Sequence, residues 1–258
     1  MTGSTLPNGA LPNGPVDWDR VRLVVFDLDG TLYDQRRLRA RMLLRLVADA
    51  ARRCSLGTIR ILRAFRDCRE ELGDALATDV AARQYELTAE RCGQSPESVR
   101  KTVEEWIERR PLDLLPACRC HGVERVFAGL AVQGKTIAVL SDYPASEKLK
   151  ALGLGASIVV SAMDPEVGVL KPHPAGLAHV LNRAQVPAEQ AIMIGDRVER
   201  DWAVAQSHGM RALIRSASPI AGVDTFRGYD DEIFWPVTEP QPMGAPAPAP
   251  PRSLTISS

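Results

Sequence analysis

Five short runs rich in Val and Ile are apolar without alternation: 22–28 (RLVVFDL), 136–141 (TIAVLS), 157–162 (SIVVSA), 190–195 (QAIMIG) and 211–215 (RALIR). A strand with one wet face alternates and a strand covered on both faces does not, so these runs read as the interior of a parallel sheet. The segments between the later runs carry a helical pattern: 123–133, 145–152, 174–185 with Pro174 near its start, and 199–208 closed by Gly209. Strand and helix alternating from 123 to 216 predict a doubly wound, mainly parallel α/β fold.

The first run breaks the alternation. About 80 residues without a convincing strand follow it, helical in pattern at 36–53, 58–72, 75–92 and 96–109. An all-helical insertion there would sit above the strand's carboxyl end, where α/β proteins place ligands, and so forms a candidate lid. The expected organisation is a disordered tail over 1–20 and a catalytic core of 21–35 plus 116–218. An α-helical cap would span 36–115, and a C-terminal extension 219–258 would be disordered at least from about 240. The tails are assigned on composition: a doubled LPNG opens the chain and PQPMGAPAPAPP stands near its end.

The run at 24–34, VVFDLDGTLYD, ends in Asp27 and Asp29 followed by Gly30 and Thr31. Two carboxylates so close repel unless a cation or a proton lies between them. Other strands also end in reactive groups: Ser141 and Asp142 after the second, Lys171 in VLKPHP after the third, Asp196 and Asp201 in GDRVERD after the fourth. Parallel strands would bring all of them to one edge. That set suits phosphoryl transfer with a side chain as the nucleophile. Asp27 and Asp196, with Asp29 beside them, give the oxygen-rich shell that magnesium prefers, and one Asp27 oxygen stays free to attack phosphorus. Lys171, Ser141 and Thr31 are candidates for holding the phosphoryl oxygens. Asp29 is placed to give a proton to the leaving oxygen and to take one from water. Gly30 permits a tight turn, and Asp201 is expected to hold Lys171 or a metal-bound water.

In order and spacing these motifs resemble the haloacid dehalogenase (HAD) superfamily: DLDGT at 27–31, strand-terminal Ser141, Lys171 before a proline, and GDRVERD at 195–201. The resemblance covers roughly 21–216 and extends to the subgroup with an α-helical cap between the first two motifs. It implies a Rossmann-like core and a magnesium-dependent phosphatase acting on a small phosphorylated metabolite through an aspartyl-phosphate, with Asp27 as nucleophile, Asp29 as acid and base, and a closing cap. Asp142 departs from the Asn that often follows the second motif's hydroxyl residue. A phosphomutase acting on a sugar phosphate is the alternative. A 2-haloacid dehalogenase is a weaker one, since that chemistry needs neither magnesium nor the second acid, Asp29.

Lys plus Arg equals Asp plus Glu at 32 each, so no global field points to nucleic acid. The five cysteines are odd in number and irregular in spacing, and no signal pattern opens the chain, which predicts reduced thiols in the cytoplasm. No apolar stretch reaches the roughly 18–20 residues of a membrane span. Eleven arginines against Asp49 and Asp67 crowd 36–69. The simplest reading is a lid whose arginines face water. Reach toward a second anion on the substrate, or attraction to an acidic membrane surface, are the alternatives.

Overall fold

A computed structural model describes residues 14–239, so the expected disorder at 1–13 and from 240 lies outside the described residues. Strands β1 (Leu23–Phe26), β2 (Thr136–Ser141), β3 (Ile158–Ser161), β4 (Ala191–Gly195), β5 (Arg211–Arg215) and β6 (Asp224–Phe226) form one sheet. Their order is β3-β2-β1-β4-β5-β6 and every pairing is parallel. This is the doubly wound order whose direction reverses between β1 and β4, the crevice where such folds bind ligands.

Between β1 and β2 the chain is helical: α1 (Gln35–Arg53), α2 (Gly57–Asp74), α3 (Val80–Cys92) and α4 (Pro96–Val103), the last running on as a wider π turn over Glu104–Arg109. Local chemistry starts and stops these helices. Asp34 caps α1 by accepting the Arg37 N–H at 3.0 Å, and Ser95 caps α4 with Pro96 in its first turn. Helix α3 begins at Val80 and not at the expected 75. Leu76 and Asp79 have left-handed φ of 48° and 56°, and the Val80 N–H goes to Gly168 O at 3.1 Å, outside any helix. Ile61, Phe65, Tyr85, Ala89, Val99 and Val103 give the helical segment an apolar core of its own.

Helices α5 (Val123–Val132) and α6 (Ser146–Leu152) cover one face of the sheet, packing on Val24, Phe26, Val139 and Ile194. Helices α7 (Ala175–Ala184) and α8 (Ala203–Gln206) cover the other, over Leu23, Val25, Leu140 and Met193. Consecutive residues of β1 thus serve opposite cores, which is why its sequence does not alternate. Each such aliphatic side chain contributes roughly 1.5–3 kcal/mol on full burial.

The chain ends depart from expectation. Residues 14–20 were expected to belong to a disordered tail, but Trp18 is buried and its Nε1–H donates to Ile233 O at 2.7 Å. The core was expected to stop at 218, but β6 extends the sheet, and a helical turn α9 (Trp235–Thr238) follows. Phe226, Tyr229 and Phe234 pack with ring centroids 5.0–5.4 Å apart. Tyr229 donates its hydroxyl to Thr31 O at 3.1 Å, so this extension braces the loop after β1.

Candidate active site

The parallel sheet brings the ends of β1, β2 and β4 side by side. The Asp27 N–H donates to Ile194 O at 2.8 Å, so Asp27 leaves β1 still in register with β4. Gly30 then turns the chain at φ +101°, and a Cβ there would overlap the Asp196 carboxylate. Glycine at this position thus lets the β1 and β4 loops meet. Gly30 O accepts from Arg215 Nη1 at 2.8 Å, which fixes the turn.

Lys171 lies at the centre. Its Nζ donates to Asp27 Oδ1 and to Asp201 Oδ1, both at 2.6 Å, and all three residues are buried. Asp201 turns its other oxygen to the N–H groups of Asp196 and Arg197, each at 3.1 Å. It therefore ties the lysine to the loop after β4. Thr31 is spent on the same carboxylate, its hydroxyl donating to Asp27 Oδ2 at 2.9 Å. Ser141 is buried at the end of β2, where its Oγ accepts the Tyr143 N–H. Asp142 turns Oδ1 to the Lys171 N–H at 2.9 Å, so the departure from the expected motif serves to place the lysine's backbone.

Asp29 sits apart from that network. Its Oδ1 accepts from Lys148 Nζ at 2.5 Å and from the Tyr33 hydroxyl. Burial pushes its proton affinity up, but Lys148 and the two hydrogen bonds more than offset this and hold it below the usual carboxylate value. Asp27 behaves oppositely. Burial, together with Asp201, Asp196 and Asp29, raises it well above the usual range even though Lys171 pulls the other way. Asp196 rises to about 6 through burial and the nearby Asp201. Burial disfavours the charge of Lys171, yet Asp201 and Asp27 outweigh it and keep the ammonium protonated.

Carboxylate oxygens of Asp27, Asp196 and Asp201 lie within 4.8 Å of one another. Asp196 Oδ1 is buried and, among the described residues, has no hydrogen-bond partner. Buried carboxylate oxygens are ordinarily satisfied, and this orphan atom amid raised proton affinities fits a hard divalent cation. Asp27 and Asp196 belong to the expected ligand set; of the two acids beside them, Asp29 meets Lys148 and Tyr33 through Oδ1, while both oxygens of Asp201 are taken by Lys171 and two backbone N–H groups.

A cavity of about 440 Å³ opens from Asp27, Asp29, Lys171 and Asp196 toward α1 and α2. Four side chains outside the expected site residues also line it. Lys148 comes from α6 in an unremarkable stretch, SEKLKAL, and only the packing of α6 on the sheet reveals its place. Tyr33 follows the first motif at i+4 from Asp29, a spacing that could have flagged it. Arg200 and Arg197, between the two acids of the fourth motif, reach α2: Arg197 grips Glu70 at 2.9 and 3.0 Å, and buried Arg200 meets Glu70 at 2.8 Å and Asp74 at 2.6 Å.

Comparison with known proteins gives the family. A model of the haloacid dehalogenase-like hydrolases matches residues 21–209. The phosphoserine phosphatase of Thermus thermophilus is 31% identical over 158 residues, 59% of this chain but only 63% of that protein. The glyceraldehyde 3-phosphate phosphatase of Methanopyrus kandleri is 26% identical over 207 residues, 74% of this chain and 82% of that one. A HAD-hydrolase of Bacillus subtilis, solved bound to magnesium, superposes with a TM-score of 0.60 at 17% identity, covering 85% of this chain and 99% of that chain. With the match running through all the motif residues and most of the sheet, this chain belongs to the haloacid dehalogenase-like hydrolases.

Proposed function

We propose that the protein is a magnesium-dependent phosphatase that hydrolyses a small-molecule phosphate monoester through an aspartyl-phosphate on Asp27. The observation that carries the reading is the orphaned Asp196 Oδ1 beside a buried Asp27 held by Lys171. The phosphatases among the relatives support the choice of phosphate ester.

Asp27 and Asp196 would hold the cation, with Asp29 and Asp201 beside them. Bound there, magnesium would supply positive charge that offsets the acids and the charge of the phosphoryl group. Asp27 then attacks phosphorus with one carboxylate oxygen as the bond to the alcohol oxygen breaks. Lys171 and Thr31 orient the attacking group, and Lys171 shares the charge that accumulates on the phosphoryl oxygens. Asp29 delivers the proton that the leaving oxygen takes up. At rest Lys148 holds Asp29 as the carboxylate; the incoming phosphate's negative charge raises its proton affinity, and Asp29 takes up a proton from solvent before passing it to the leaving oxygen. In the second half Asp29 takes a proton from the water that attacks the aspartyl-phosphate, the phosphorus bond to Asp27 breaks, and phosphate leaves. We assign the helical segment between β1 and β2 the role of a cap that closes the cavity over this chemistry.

The test is phosphate release from a panel of phosphorylated metabolites and an aryl phosphate, with magnesium and with EDTA. Asp27→Asn, close in shape to the original, should retain the fold and lose about three orders of magnitude or more in turnover. Activity that persists in chelator, or in Asp27→Asn, would sink the assignment. An isomerised sugar phosphate in place of free phosphate would point to the mutase.

A further inference from the structure

Resting on the hydrolase reading above, we propose that Arg39 and Arg66 form a subsite for a second anionic group, and that the substrate's alcohol carries this group at the far end of an apolar body. Four arginines line the cavity. Arg197 and Arg200 are committed to Glu70, Glu199, Asp74 and the Lys171 carbonyl. The guanidiniums of Arg39 and Arg66 form no hydrogen bond or ion pair among the described residues; those of Arg36, Arg37, Arg41, Arg60 and Arg63 are unpaired too but do not line the cavity, and the remaining arginines of the segment have partners. Arg45 is paired with Asp113, Arg52 and Arg53 share Asp49, and Arg69 donates to Gln84 and stacks 4.1 Å from the Tyr143 ring.

Helix geometry aims the free pair inward. Leu38, Arg39, Met42 and Leu46 follow helical spacing on one face of α1, and Leu62, Arg66 and Glu70 recur every fourth residue on α2. Both stripes line the cavity that holds Asp27. Besides its charged groups, Gln35 and Tyr143, the cavity wall is apolar: Leu38, Met42, Leu46, Leu62, Trp106, Ile107 and Pro111. A polyol laid along it would press hydroxyls against groups that cannot hydrogen-bond, which costs free energy. An apolar chain or ring would not. Glu70 is the acid on this helical wall, and its charge is taken by Arg197 and Arg200, so the two free guanidiniums face the cavity uncompensated. A guanidinium fork recognises carboxylate and phosphate alike.

Phosphonates test this without turnover. Benzylphosphonate, para-carboxybenzylphosphonate and para-xylylene bisphosphonate share a ring and differ at its far end. Titrated calorimetrically with magnesium present, the two doubly headed compounds should bind the protein about tenfold or more tightly than benzylphosphonate. In the Arg39→Ala, Arg66→Ala double variant the gap should fall below about twofold, while the Arg→Lys pair keeps part of it. The better of the two doubly headed compounds identifies the anion as carboxylate or phosphate. Equal affinity for all three, no binding at all, or a gap that survives the double alanine variant would overturn the subsite. Phosphonoacetate binding as tightly as the carboxylated benzyl compound would overturn the apolar body. A thermal melt of each variant checks its fold. Absent phosphate release with intact discrimination would count against the hydrolase reading alone.

Discussion

On the sheet side of the cavity, Asp27, Lys171 and Asp201 are at most 6% exposed and answer one another's charge; on the helical side, Arg39 and Arg66 stand exposed and answer nothing. The first group is fixed by backbone: strand ends in register, the Gly30 turn, the Asp201 contacts to two N–H groups. The second is fixed only by helix spacing, with long side chains free to move. Reaction chemistry needs groups held within a fraction of an ångström, which buried and mutually satisfied partners supply. Recognition of a varied alcohol asks less, and exposed arginines can be exchanged on a helix surface without disturbing the sheet.

The largest expected effect strikes the sheet side. Lys171→Met keeps an unbranched side chain one atom shorter and leaves the Asp27 and Asp201 carboxylates buried without their shared cation. Removal of one partner from such a network costs about 3–5 kcal/mol. Denaturant unfolding in chelator should show that loss, together with loss of turnover when magnesium is restored. A variant as stable as wild type would mean that Asp27 and Asp201 are compensated by something other than the lysine. Phe65→Ala tests the helical side, where the fully buried ring stacks on Tyr85 with centroids 5.7 Å apart. The expected cost is about 3 kcal/mol. Hydrogen exchange should quicken in α2–α4 while β1, β2 and β4 keep their protection. Equal loss in both regions would show that the two cores unfold as one.

The same contrast explains what could be read from the chain. Strands β1–β5 are legible because burial on both faces leaves a continuous apolar run, and the acids at their ends stand out against it. Strand β6, DTF, is not legible. It has three residues, and its buried Asp224 is matched by Arg211 Nε at 2.8 Å from the neighbouring strand, a tertiary fact. Trp18 looked like part of a polar tail because its partner, Ile233, lies 215 residues away in sequence. Asp27, Lys171 and Asp201 could be nominated from motif spacing, but Lys148 could not, since nothing in SEKLKAL separates a buried lysine from a solvated one. The Asp142 carboxylate was an anomaly in the sequence, and only the loop that brings the Lys171 N–H to it gives it a purpose.

A smaller effect is expected where the two sides are clasped together. Glu70 on α2 is held below its usual 4.5, at about 2, first by the hydrogen bond from Arg197 and then, against the opposing effect of burial, by Arg200. A carboxylate whose folded value is depressed contributes stability above its unfolded value and loses it as pH falls through the folded one. The stability gap between wild type and Glu70→Gln should therefore be constant above pH about 5 and shrink from about 4.5 downward. Because the Glu70 side chain is half exposed, the gap should also narrow with added salt. A gap that widens on acidification would contradict the clasp.

The smallest effect belongs to an ion pair that looks just as good on paper. Arg45 on α1 meets Asp113 through two bonds of 2.8 and 2.6 Å, within 0.2 Å of the two 2.6 Å carboxylate bonds of Lys171, and also donates to Arg110 O at 2.7 Å. Yet the two side chains are 35% and 64% exposed, so water screens the attraction and already solvates both charges when the pair is broken. Arg45→Ala should cost less than about 1 kcal/mol in denaturant unfolding, and less still at high salt. Set beside Lys171→Met, it holds bond length nearly fixed and changes only burial. A loss above about 2 kcal/mol would mean that the pair acts as a structural pin between α1 and the loop at 110–113. The helical side would then share the rigidity that the comparison reserves for the sheet.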